Sequence, residues 1–415
     1  MGKEVLRGVR DIVVNKDSMW IIVDTLPCLF RYYLLSRELE LTAIFPEAMR
    51  SGNFAFSKIV KLEDEIYFIP RLAKDIFYYD ISNKEFHKLN VSFEDFCDDK
   101  GLEVVVKERF LYCIHRYPNR VIKINSVTKE VNIFEIDMNP YIEAGIEKLI
   151  YKAFQGPCIY QEKIIWSHYK NILIIFDTEK ESFSIKKLEG LSHEKIKLIP
   201  GVLEVEDYIT GVRLFEDILW LFSFNGKIYQ YDEGIHQLED TLFDNYMHYD
   251  DAGGKKYFFL HDIVPLKKEL IIIPSYKNKC VKYNIDTKRY EEVLNDYAQN
   301  WDGNKRDYSL CKKMSDKKMV LYSYYESSFY ILDVENNSVC KREIEISYRK
   351  LIKENPDFKW MVIKDGVYSF DDLMYLFEGF TSHRCMKEKK LQDTSIGKQI
   401  YEIIEKQLKS EVKWR

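Results

Sequence analysis

Apolar residues in this chain come in pairs of short runs, each pair split by a few polar residues, and the pair recurs seven times. Residues 66–80, IYFIPRLAKDIFYYD, show the form: two strand-length runs, a polar hairpin loop between them, and an aspartate that opens a turn. The versions align without a gap when each is anchored on its turn residue, namely Leu35, Asp80, Asn125, Asp177, Asp232, Asn284 and Asp333. Six of the seven are Asp or Asn, whose side chains bond their own backbone and tolerate left-handed geometry. Successive anchors are 45, 45, 52, 55, 52 and 49 residues apart.

Positions around the anchor share their chemistry. One residue before it stand Leu34, Tyr79, Ile124, Phe176, Tyr231, Tyr283 and Leu332. Thirteen before it stand Ile22, Tyr67, Tyr112, Ile164, Leu219, Ile271 and Val320. The upstream run is apolar at both parities, as in Ile271-Ile272-Ile273, so it is not a strand with one wet face. A strand covered on both faces and repeated about every 50 residues is the pattern of stacked propeller blades. The expectation is an all-β chain: a seven-bladed β-propeller of four-stranded antiparallel blades over residues 1–348, anchored near 35, 80, 125, 177, 232, 284 and 333. Residues 349–415 are then a closing strand and a helical extension.

The ring's ends need a partner, because an open edge strand invites aggregation. Either Glu4–Val9 or Met361–Tyr368 is expected to complete the last blade. Ser369 to Asp372 fits a capping box, with Phe370, Leu373, Met374 and Phe377 at helical spacing; a second stripe runs from Ile396 to Leu408. Insertions around 140–150, 240–255 and 295–305 lengthen connections between blades, on the same face as the hairpin loops, where binding residues concentrate.

Charge adds little to this picture. Lys and Arg number 62 against 67 Asp and Glu, a formal net charge of -5, well mixed along the chain. No basic stripe argues for nucleic acid. No apolar run reaches the roughly 18 residues of a membrane span. The eight cysteines form no C-x-x-C pair, and no apolar run follows Met1. Free thiols without an export signal predict a cytoplasmic location.

Candidate chemistry gathers in the hairpin loop. Nine residues before the anchor stand Leu26, Arg71, Arg116, His168, Ser223, Ser275 and Tyr324. The next position holds Pro27, Leu72, Tyr117, Tyr169, Phe224, Tyr276 and Tyr325, five aromatics in seven against 15% aromatic content overall. One reading of this excess is packing of each hairpin on the next blade. The other is a ring at the channel mouth built from Arg71, Arg116, Tyr117, His168, Tyr169, Tyr276, Tyr324 and Tyr325. Arginine forks suit carboxylates and phosphates, and tyrosines suit sugars and peptides. Motifs for dinucleotides, phosphate loops, zinc proteases and serine hydrolases are missing. His115 and His168 alone do not make a metal site, so no metal or cofactor is expected.

In period and strand order the repeat resembles the kelch-like and WD-repeat propeller families, over roughly residues 10–348. Their signatures are not in the blades: the Gly253-Gly254 doublet falls in a loop, and Trp301-Asp302 lies outside any strand core. The resemblance implies the fold and carries over no site residue. The expected function is a cytoplasmic binding or scaffolding propeller whose loop face engages a peptide, protein or glycan. The alternative is a glycan-active hydrolase or lyase with paired carboxylates at the channel mouth.

Overall fold

The computed structural model describes residues 5–24, 26–49, 55–71, 73–92, 102–115, 120–137, 156–168, 171–191, 195–199, 203–206, 208–223, 227–231, 235–237, 260–274, 280–293, 308–323, 326–347 and 351. The two helical segments expected after residue 349, the alternative closing strand at 361–368 and the three expected insertions lie outside them.

Seven antiparallel sheets of four strands, each built from consecutive chain, form a propeller ring. Blade two is typical. Its strands run Phe56–Leu62, Glu65–Pro70, Asp75–Asp80 and Glu85–Ser92, from the channel outward. Alternate residues of the second strand face opposite neighbours. Ile66 and Phe68 pack in the core shared with blade one, while Tyr67 and Ile69 pack in the core shared with blade three. Seven such clusters occupy the seven seams between blades. This is why the second strand is apolar at both parities. Pro70 and Pro274 each end a second strand, where a missing N–H costs little. One hairpin, Lys195–Ile199 with Leu203–Glu206, stands outside the seven sheets and was not foreseen.

The anchors among the described residues form turns between third and fourth strands, and Asp232 lies outside those residues. Asp80, Asn125, Asp177 and Asp333 each accept two backbone N–H groups through Oδ1, as Asp80 does from Ser82 and Asn83. Four residues after the anchor the backbone is left-handed, at Lys84, Lys129, Glu181, Lys288 and Asn337. In blade one the residue four before the left-handed Arg37 is Tyr33, not Leu35. The pairing agrees: Ser18 faces Tyr33 as Glu65 faces Asp80. Leu35 is an 88% exposed turn residue two positions beyond the true equivalent.

Hairpin length also varies by one residue. Glu65 pairs with Asp80 and Phe110 with Asn125, fifteen apart, but Lys163 pairs with Asp177, fourteen apart. The seven windows are therefore not gapless.

Closure differs from the expectation. Blade seven takes all four strands, Tyr308–Lys313, Lys318–Ser323, Ser328–Asp333 and Ser338–Glu343, from consecutive chain. The N-terminal segment touches it just past that outermost strand. Leu6 N donates to Ile344 O at 2.8 Å, and Val5 forms an isolated bridge with Glu345. The seam is held instead by a core that mixes Leu6, Val9 and Ile12 with Val320, Tyr322 and Phe329.

Candidate functional site

Strand direction sends the hairpin loops between second and third strands to one face of the ring, with the connections between blades. The turns opened by the anchors lie on the other face. Second strands end at Val23, Pro70, His115, His168, Ser223, Pro274 and Ser323. The next residue in each blade is Asp24, Arg71, Arg116, Tyr169, Phe224, Ser275 and Tyr324. This corrected register changes the membership of the ring expected at the mouth. His168 is a strand residue, 6% exposed, rather than a loop residue equivalent to Arg71. Leu26, aligned with Arg71 by the turn residues, is core at 2% exposure, and Asp24 takes its place. Arg71 is in the loop as expected. Arg116, Tyr117, Tyr169, Tyr276, Tyr324 and Tyr325 lie outside the described residues.

Asp24 and Arg71 stand on neighbouring loops of blades one and two, near enough for the Arg71 charge to act on the Asp24 carboxyl. Both loops hang on the entry to an inner strand: Asp24 N donates to Gly8 O at 2.8 Å, and Arg71 N donates to Ala55 O at 2.9 Å. The Asp24 side chain is 5% exposed, with Oδ1 3.9 Å from Arg10 Nε and accepting no hydrogen bond among the described residues. Burial pushes its carboxyl up to about 6, although the Arg10 and Arg71 charges pull the other way. Burial disfavours the charged form, and two guanidinium groups at a distance offset it only in part.

Below the mouth a belt of charge crosses the channel walls. Asp11, Lys58, Glu103 and Asp262 occupy one register of the inner strands, facing Ile22, Ile69, Ile114 and Ile273. Arg213 and Lys312 stand two residues further along theirs. Asp11 Oδ1 lies 2.9 Å from Lys312 Nζ, and Asp11 Oδ2 accepts Ile59 N at 2.8 Å. Lys58 pairs with Glu103. Arg213 pairs with Asp262 and donates to Gly156 O at 2.7 Å and Ile263 O at 3.1 Å. Cys311 Sγ lies 3.0 Å from Asp262 Oδ2. A Cβ on Gly156 would sit 3.1 Å from Glu103 Oε2, so a larger residue there would push on the Glu103 carboxylate.

Burial pulls Lys312 toward the neutral form, but Asp11, with Cys311 and Glu103, more than offsets it, so its pKa is raised. Asp262 does the same for Arg213. Burial and the Asp262 charge hold the Cys311 thiol well above the usual range, so it is inert as a nucleophile. Three acids and three bases of the belt thus neutralise one another and brace the blades.

Anchoring on turn residues could not find this belt or Asp24. Aligning on the ends of the second strands does, because those ends lie next to the mouth.

Among the described residues, no group of three or more His, Cys, Asp or Glu could hold a metal ion. No helix among them is long and apolar enough to cross a membrane.

No protein-family model matches the chain, and no curated protein matches it. Solved structures do. PorZ, a surface component of the type-IX secretion system of Porphyromonas gingivalis, superposes with a TM-score of 0.52 at 8% identity over 84% of this chain. This chain spans only 39% of PorZ. The computationally designed protein Ika8 gives 0.50 at 9% identity, over 83% of this chain and 93% of its own. YCF48, solved bound to the D1 peptide, gives 0.50 at 7% identity, over 77% and 92%. At such identities the likeness is one of fold, and the chain is a seven-bladed β-propeller.

Proposed function

We propose that this chain is a binding propeller whose hairpin-loop face engages a peptide, protein or glycan through a cationic, aromatic mouth. The observation that carries the reading is the Arg71 loop. It stands at the seam of blades one and two, on the face where the connections between blades also lie. By sequence alone, the residues that follow the second strands of blades three, four and seven are Arg116, Tyr169 and Tyr324. Two forks for acidic groups and a set of stacking surfaces would then share one circle. YCF48 was solved with a peptide bound, which supports a peptide as one class of ligand for a propeller of this shape.

Hydrolysis or lysis of a glycan would need two free carboxylates a short distance apart at the mouth. The described channel carboxylates Asp11, Glu103 and Asp262 are each engaged by a lysine or arginine, which favours binding over catalysis. A reducing, cytoplasmic location belongs to the same reading and is supported by six free cysteines among the described residues.

Peptide and glycan arrays probed with the wild-type protein and with the Arg71→Ala/Arg116→Ala variant test the proposal. Wild-type hits that carry acidic groups and vanish in the variant support it. Cleaved glycan after incubation would replace it with the enzymatic reading.

A further inference from the structure

On the outer rim, the seam of blades seven and one opens into a cleft of about 510 Å³, within the usual range of ligand pockets. Its walls are unlike the channel. Arg37 comes from the left-handed turn of blade one, and Lys341 and Arg342 come from the outer strand of blade seven, with Tyr32 and Cys340 between them. Lys341 is satisfied by Glu326 at 3.0 Å. The two arginines are not: neither forms an ion pair among the described residues, and Arg342 Nε and Nη1 are shielded from water with no hydrogen-bond partner. Two shielded guanidinium N–H groups without an acceptor are costly, whereas every cation of the channel belt has found a partner. Glu343 and Glu345 line the same cleft, so a ligand negative throughout would be repelled there.

From this we infer a second ligand site: the rim cleft takes a small soluble molecule whose phosphate or carboxylate sits at one end, against Arg342 and Arg37. Charge-assisted bonds to a guanidinium are among the stronger contacts open to an oxyanion. The site is remote from the channel mouth and independent of what binds there.

Cys340 reports on the cleft directly, since it is an exposed thiol on its wall. The experiment follows thiol labelling of Cys340 in full-length protein with Cys97→Ser and Cys385→Ser, in the presence of glucose 6-phosphate or gluconate, each charged at one end only, or of anionic phospholipid vesicles. Chloride at matched ionic strength is the control. Expected is slower labelling with glucose 6-phosphate or gluconate at millimolar concentration, with half-protection shifted at least about tenfold in Arg342→Gln, the scale of one lost charge-assisted bond. Arg37→Gln, an exposed turn substitution, gives the same direction of change should Arg342→Gln fail to fold. Arg71→Ala leaves protection unchanged. Labelling insensitive to both soluble anions, protection by vesicles alone, or protection as strong in the two arginine variants as in wild type would overturn the inference.

Discussion

Lys312 Nζ lies 2.9 Å from Asp11 Oδ1, joining the inner strand of the last blade to that of the first. The second oxygen of the same carboxylate accepts Ile59 N of blade two. Three consecutive blades therefore share one buried side chain, at the point where a ring made of consecutive strands has no covalent closure. Asp11→Ala strands the Lys312 charge and the Ile59 N–H together. It is expected to cost about 1–3 kcal/mol, the scale of leaving a buried donor unpaired, because Lys312 keeps 31% of its side chain exposed and can turn to water. Replacing both partners, Asp11→Asn with Lys312→Met, is expected to cost less than the sum of the singles. Denaturant melts of these variants measure this, and a cost under about 1 kcal/mol for Asp11→Ala would remove the belt's bracing role.

Asp24 gives a pH dependence of definite sign. Its folded carboxyl is raised to about 6 from 3.8, so the folded state holds its proton more tightly than the unfolded chain. The stability this contributes is fully present below about pH 4 and is lost as pH rises toward 6. At neutral pH, keeping the ionised group buried costs roughly 2–3 kcal/mol. Asp24→Asn, which mimics the neutral acid, is expected to be more stable than wild type at pH 7 and to flatten the profile between pH 4 and 6. Arg71→Ala is expected to move the Asp24 titration still higher, because the Arg71 charge lowers it. Thermal melts across this range, with carbon-13 titration of the Asp24 carboxyl, decide the matter.

Thiol chemistry separates inside from outside. Cys113 and Cys158 are pushed up to about 12 by burial, and burial also holds Cys28 and Cys311 well above the usual thiol range. Cys340 alone among the described cysteines is exposed. With Cys97 and Cys385 changed to serine, one thiol is expected to react quickly in native protein at neutral pH, and the remainder only on unfolding. Rapid modification of Cys113 or Cys311 in the native state would contradict the closed seams on which the fold account rests.

Much of the architecture was legible from sequence because a propeller repeats its demands. Each second strand is covered on both sides, so residues such as Ile66 and Tyr67 are apolar at either parity, and each outer turn wants an acceptor such as Asp80 or Asn125. The mouth was less legible for a physical reason. Turn residues sit at the far end of the third strand, and the hairpin between them and the mouth varies by one residue, so His168 was aligned with Arg71 although it ends a buried strand. Blade one slipped by two residues because Tyr33 fills the anchor place without an Asx side chain. The channel belt was hidden for another reason: Lys58 and Glu103 stand in strands, FSKIVKL and LEVVVK, whose alternation reads as an ordinary wet face. Only the ring brings their charges together.

The most direct test of the binding account is the affinity of one array-identified acidic peptide or glycan for wild-type and Arg71→Ala/Arg116→Ala protein, measured by fluorescence anisotropy. Circular dichroism of both confirms the fold. The account predicts at least about tenfold weaker binding in the variant, as loss of charge-assisted contacts implies, with unchanged spectra and a stronger salt dependence in wild type. Equal affinity in the two proteins, with the fold intact, would contradict it and leave the arginines as packing for their hairpins.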